Sequence, residues 1–136
     1  MQNLQKFYID GQWVAPQSSK KMPVVNPATE EVIGEVILGN EEDVNIAVKA
    51  AKNAFMSFSK TSKEERMNIL KNIRKISEER FDDLADAMTI EMGAPRKMSR
   101  EAQADAAIGH LDGFISALEK HEEKIELSNT DILLKE

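Results

Sequence analysis

The sequence predicts an α+β fold, mostly helical, with an amino-terminal β-hairpin and short strands. Three observations carry that prediction. Up to Gly39 the apolar residues fall in short β-prone runs, and from Asn40 they recur every three or four positions. Asp10-Gly11 lies between two such runs, a two-residue hairpin signal because Gly tolerates positive φ. Ser62 and Glu65 form a capping box, S-x-x-E, which satisfies two free amides at a helix start. Strands are therefore expected over 1–39, helices over 40–122 and an extended tail over 123–136.

In chain order, "KFYIDGQWV" reads as the hairpin, with Tyr8 and Trp13 covering one edge of the core rather than stacking a ligand. Val24-Val25 and Val32 to Leu38 read as two further strands. Asn26-Pro27 separates them, because Pro27 cannot donate to a ladder and pushes Asn26 towards an extended conformation. Asn40 is the expected N-cap of the first helix, and Glu41, Glu42 and Asp43 place negative charge where the macrodipole favours it. Val44, Val48, Ala51, Phe55 and Phe58 form its apolar stripe, and Ala47, Ala50 and Ala54 would admit a close neighbour. It should end near Ser57.

From Ser62 a long helix is expected, bent near Ser77, with Leu70, Ile73, Ile76, Phe81, Leu84 and Met88 on its buried side. Lys71, Arg74 and Lys75 are followed by Glu78 and Glu79, which makes a salt-bridged, solvated face rather than a basic patch. Gly93 closes this helix as a C′ glycine, and Pro95 suits the first turn of the next. A third helix is expected over about Pro95 to Lys120, lined by Ala104, Ile108, Leu111, Ile115 and Leu118. Gly109 and Gly113 in it read as a site of close helix packing. "KIELSNTDILLKE" suggests two extended runs around Ser128-Asn129, with nothing evident to pair with them.

A chain of 136 residues supports one modest core. A net charge of -6 weighs against binding nucleic acid, which takes clustered Lys and Arg. No apolar run approaches the roughly 20 residues a spanning helix needs, so no membrane partner is expected. "MQNLQKFYIDG" lacks the apolar region of a secretory signal, which makes the cytoplasm the expected location.

Chemistry is harder to find. Zero cysteines exclude thiolate nucleophiles and thiolate metal sites in these residues. No G-x-G-x-x-G or G-x-x-x-x-G-K occurs, and no serine sits in G-x-S-x-G. His110 and His121 lack a third ligand at helical spacing; the first reads as a helix-side residue near a neighbour, the second as solvent-facing. Asp82-Asp83 and Glu122-Glu123 are adjacent, so their side chains leave a helix about 100° apart instead of converging. No catalytic, cofactor-binding or metal-binding residue is assigned.

The segments "FYIDGQWV", "VVNPATEEVIGEV", "EDVNIAVKAAKNAF", "TSKEERMNILKNI" and "IEMGAP", in this order, resemble the amino-terminal part of the aldehyde dehydrogenase superfamily. Glu91-Met92-Gly93-Ala94-Pro95 looks like that family's acidic-x-Gly-x-Pro turn, with Ala94 where Lys is more common. The resemblance implies part of an α/β cofactor-binding domain, so that residues 1–136 would be a single partial domain. It also implies oxidation of an aldehyde to a carboxylic acid with NAD or NADP. In the family a cysteine thiolate attacks the carbonyl, amides hold the oxyanion, hydride passes to nicotinamide and a glutamate activates water. Those parts follow the region matched here, so the chain resembles a fragment, expected to be inactive alone and to bind no dinucleotide tightly.

Three further expectations follow. Family members often hold a monovalent cation near positions matching Glu91 and the Val25 main chain; the other reading is that Glu91 is an ordinary residue in a last helical turn. The tail matches strands that help to build the family's subunit-association sheet, so unpaired edges would favour self-association, and the missing remainder of the enzyme is a second partner. The alternative function is a non-catalytic helical interaction module that binds a protein partner.

Overall fold

The computed structural model describes residues 5–122 and 124–134. Four short strands open it: β1 (Phe7–Ile9), β2 (Gln12–Val14), β3 (Lys21–Val25) and β4 (Val32–Ile37). The helices follow as α1 (Glu41–Phe58), α2 (Lys63–Glu79), α3 (Phe81–Met92), α4 (Arg96–Met98), a π-helical segment (Ser99–Ala104) and α5 (Asp105–Lys120). Strands β5 (Lys124–Glu126) and β6 (Ile132–Leu134) come last. The strands form three separate antiparallel pairs, β1-β2, β3-β4 and β5-β6.

The first pair turns at Asp10-Gly11, where φ is 52° and 73°, the two left-handed residues that a tight hairpin turn demands. Alternation along the ribbon directs Phe7, Ile9 and Val14 inwards and Tyr8 and Trp13 outwards. Tyr8 and Trp13 therefore do not cover a core edge. They are 63% and 51% exposed and pack edge-to-face on each other, ring centres 5.2 Å apart. The second pair runs in register from Lys21 opposite Ile37 to Val25 opposite Val32, with a bulge between Val24 and Val25. Its connection is folded by Asn26, whose side-chain oxygen accepts from the Ala28 amide at 2.9 Å.

Both expected helix starts form. Asn40 and Asp43 make a reciprocal capping box on α1, and Ser62 and Glu65 make one on α2. The expected single helix bent near Ser77 is instead two helices that break at Arg80, with φ −107° and ψ 23°. Charge explains the position: Glu78 and Glu79 oppose the dipole at the end of α2, whereas Asp82 and Asp83 favour the start of α3. The helix expected from Pro95 is likewise interrupted by the π-helical segment, and Pro95 is its N-cap rather than its first turn.

The fully buried residues described are Ala85, Ser99 and Ala104, which meet where α3 lies on the π-helical segment. Thr89 Oγ1 lies 3.0 Å from both the Ala85 carbonyl and Ser99 Oγ, so the hydroxyls of this dry contact are satisfied. Asp82 pairs with Arg100, Asp86 with Arg96 at 3.0 Å, and Arg100 lies over the Phe81 ring at 5.3 Å. Asp83 turns away to Arg80.

Helix α2 packs along α5. Arg74 joins them by a two-pronged contact to Asp112, at 2.5 and 3.2 Å, and also reaches Glu78 at 2.9 Å. Lys63 Nζ donates to the Glu119 and His121 carbonyls at the end of α5, where a cation complements the dipole. Gly109 and Gly113 are not a packing site. A Cβ at either would meet nothing within 4 Å, because Ile108, Leu111, Ile115 and Leu118 turn the other side of α5 inwards. The tail also differs from expectation, since β5 and β6 pair with each other. Ser128 Oγ donates to Asp131 Oδ2 at 2.6 Å and accepts from the Asp131 amide at 3.0 Å, which folds the chain back. Glu123 lies outside the described residues.

Candidate functional site

The Glu91–Pro95 turn and the Asn26-Pro27 turn, 60-odd residues apart in sequence, meet in space. Gly93 ends α3 in the left-handed conformation, φ 65° and ψ 17°. A Cβ there would fall 2.9 Å from Pro27 Cγ, 3.0 Å from the Ala28 nitrogen and 3.2 Å from Ala28 Cβ. Two requirements therefore coincide at one residue: a backbone angle that favours glycine, and a space with no room for a side chain. Sequence reading identifies Gly93 as a helix stop from its place after α3. It gives no sign that the stop is also the seat of the β3-β4 turn.

Asp43 is a second junction that its sequence context conceals. In the sequence it is one of three acidic residues at a helix start. In the fold it is buried, and its Oδ1 accepts from the Gln17 amide at 2.8 Å while Oδ2 accepts from the Asn40 amide at 3.0 Å. One carboxylate thus caps α1 and ties the segment after β2 to it. The Gln17 amide, then that of Asn40, hold the Asp43 carboxyl below the ordinary Asp range, against the opposing effect of burial. A lowered folded-state value contributes stability above the unfolded value of about 3.9, and that contribution is lost as pH falls through the folded value. In Asp43→Asn one acceptor becomes a donor facing an amide N–H. The variant should melt about 4 °C lower at pH 7 by circular dichroism. The gap should narrow on acidification below about pH 4; a gap independent of pH would contradict this role.

Glu91 is exposed on the last turn of α3, and Val25 is 42% exposed at the end of β3. The two turns that carry them approach each other at Gly93. Among the described residues, no group of three or more His, Asp or Glu could hold a metal ion. His110 and His121 are both exposed.

A dinucleotide pyrophosphate is held by free amides at a helix N-terminus. Carboxylates of Asp43 and Glu65 accept from the Asn40 and Ser62 amides at the starts of α1 and α2, α3 opens with Asp82 and Asp83, and α5 continues from the π-helical segment without a break. Acidic side chains therefore stand in the first turns of α1, α2, α3 and α5, where the helix dipole favours negative charge. What the arrangement does chemically is fix two turns and three helices.

The model of the Aldehyde dehydrogenase family matches residues 13–135. The chain belongs to the aldehyde dehydrogenase family. It is 40% identical over 134 residues to 3-succinoylsemialdehyde-pyridine dehydrogenase of a Pseudomonas species, covering 98% of this chain and 28% of that one. Among solved structures it resembles aldehyde dehydrogenase from Bartonella henselae, with a TM-score of 0.91, 34% identity, and 96% and 28% of the two chains covered. It also resembles aldehyde dehydrogenase C from Pseudomonas syringae, a mutant solved with NAD+ and octanal. There the TM-score is 0.90 at 40% identity, over 93% of this chain and 26% of that one. The chain thus spans about 28% of the length of the curated aldehyde dehydrogenases it matches, at their amino-terminal end.

Proposed function

We propose that this chain supplies the amino-terminal part of an NAD(P)-dependent aldehyde dehydrogenase, and that these 136 residues alone do not oxidise aldehydes. One observation carries the reading. The chain matches the family along nearly all its length, yet it contains no cysteine to form the thioester. Its own contribution is positional: Gly93 seats the β3-β4 turn, and Asp43 fixes the start of α1.

Purified chain incubated with NAD or NADP and a panel of short and long aldehydes should give no reduced cofactor above a protein-free blank. Co-expression with the polypeptide of the Pseudomonas dehydrogenase that lacks its matching first part should yield aldehyde-dependent cofactor reduction. Turnover by the chain alone, or none from the co-expressed pair, would count against the proposal.

A further inference from the structure

The helical run from Arg96 to Lys120 changes register once. Over Ser99–Ala104 it is π-helical, and the Asp105 amide points to the Arg100 carbonyl, five residues back, as well as to that of Ala102. An α-helix closes the same bond over four residues. The π turn therefore holds one residue more than an α-helical turn, a rare arrangement.

The contacts on either side show what the extra residue does. Ser99 and Ala104 are both fully buried, and the π turn packs chiefly on α3. In an α-helix five residues advance about 500°, which would set Ala104 about 140° away from Ser99. The wider turn brings the two back to one side. Beyond Ala104 the spacing is α-helical: Ile108, Leu111, Ile115 and Leu118 follow at four, three, four and three, all shielded, in the helix that packs along α2.

Composition prevents the turn from closing to α with every residue kept. Gln103 would take the place of Ala104, and its side-chain oxygen is already buried with no hydrogen-bond partner among the described residues. Everything after it would rotate by about 100°. His110 and Phe114, both exposed, would then stand where Leu111 and Ile115 stand now.

We infer that the π turn absorbs a surplus residue: it keeps the α3 and α2 contacts in phase in a helix one residue longer than either contact requires, and Ala102 is the residue the fold can lose. Ala102 is small and exposed, as is its neighbour Glu101 in side-chain position, so neither adds to the core. Without Ala102, Ser99 and Ala104 stand four apart, about 400° along an α-helix and so on one side. The Asp105 amide reaches the same Arg100 carbonyl over an ordinary four-residue bond. The Asp82–Arg100 and Asp86–Arg96 pairs precede the deletion and stay in place.

The test compares two single-residue deletions in the full chain, each removing a small exposed residue of the same helical run. Deleting Gly113, which also has open space around it, shortens the spacing from Leu111 to Ile115 to three. Ile115 and Leu118 then turn about 100° away from α2. By circular dichroism the chain lacking Ala102 should melt within about 3 °C of the parent, and the chain lacking Gly113 at least about 10 °C lower. A crystal structure of the chain lacking Ala102 should show continuous α-helix from Arg96 to Lys120.

Three results would overturn the inference. One is a chain without Ala102 that is unfolded or loses as much as the chain without Gly113. Another is equal tolerance of both deletions, which would mean that the phase of α5 is not held. The third is a folded chain without Ala102 in which a π turn persists among neighbouring residues.

Discussion

Gly93→Ala should destabilise the chain by about 3 kcal/mol, the left-handed backbone accounting for ~1–2 kcal/mol and the collision with the β3-β4 turn for the rest. The methyl would arrive 2.9 Å from Pro27 Cγ and 3.0 Å from the Ala28 nitrogen. Pro27 is rigid, and the Ala28 amide is held by Asn26, so neither can move aside without opening the turn. Gly113→Ala is the matched control. Its Cβ meets nothing within 4 Å inside α5, so the same substitution should stabilise by about 0.5–1 kcal/mol. Denaturant titration followed by circular dichroism measures both. Equal and small effects would show that the end of α3 does not rest on the turn.

Ala85→Leu should cost about 2–3 kcal/mol. Ala85 is fully buried opposite Ser99 and Ala104, and three extra carbons there must push the π-helical segment away from α3. That displacement also parts Thr89 from Ser99 and strains the Asp82–Arg100 pair, which spans the same interface. Denaturant unfolding monitored at 222 nm measures the loss. A cost under about 0.5 kcal/mol would mean that the contact is loose enough to accept a larger side chain.

What could be read from the sequence follows the range of the interactions. The Asn40 cap, the Ser62 capping box, the Asp10-Gly11 turn and the Arg74–Glu78 pair are all settled within four residues, and a linear reading reaches them. Asp43 and Gly93 show only half of their work that way. Their local roles are visible, while their contacts with Gln17 and Pro27 span 26 and 66 positions. The break at Arg80 escaped because no Gly or Pro marks it; it follows from the balance of charge on its two sides. Periodicity groups Val44, Val48 and Phe55 on one side of α1, and on α2 it groups Leu70 with Ile73 and Ile76, of which only Leu70 is shielded. It reports which side of a helix is apolar, not whether a neighbour lies against it, and so Ile73 and Ile76, expected on a buried side, are exposed.

The lone tryptophan has a practical consequence. Trp13 sits outward on a two-stranded ribbon against Tyr8, in a different element pair from the Ala85–Ser99–Ala104 contact. Its emission therefore reports on the first hairpin, while ellipticity reports on the helices. If the ribbon loosens before the helical layer, the two optical signals will change at different temperatures, and a melting point taken from fluorescence will understate the endurance of the rest.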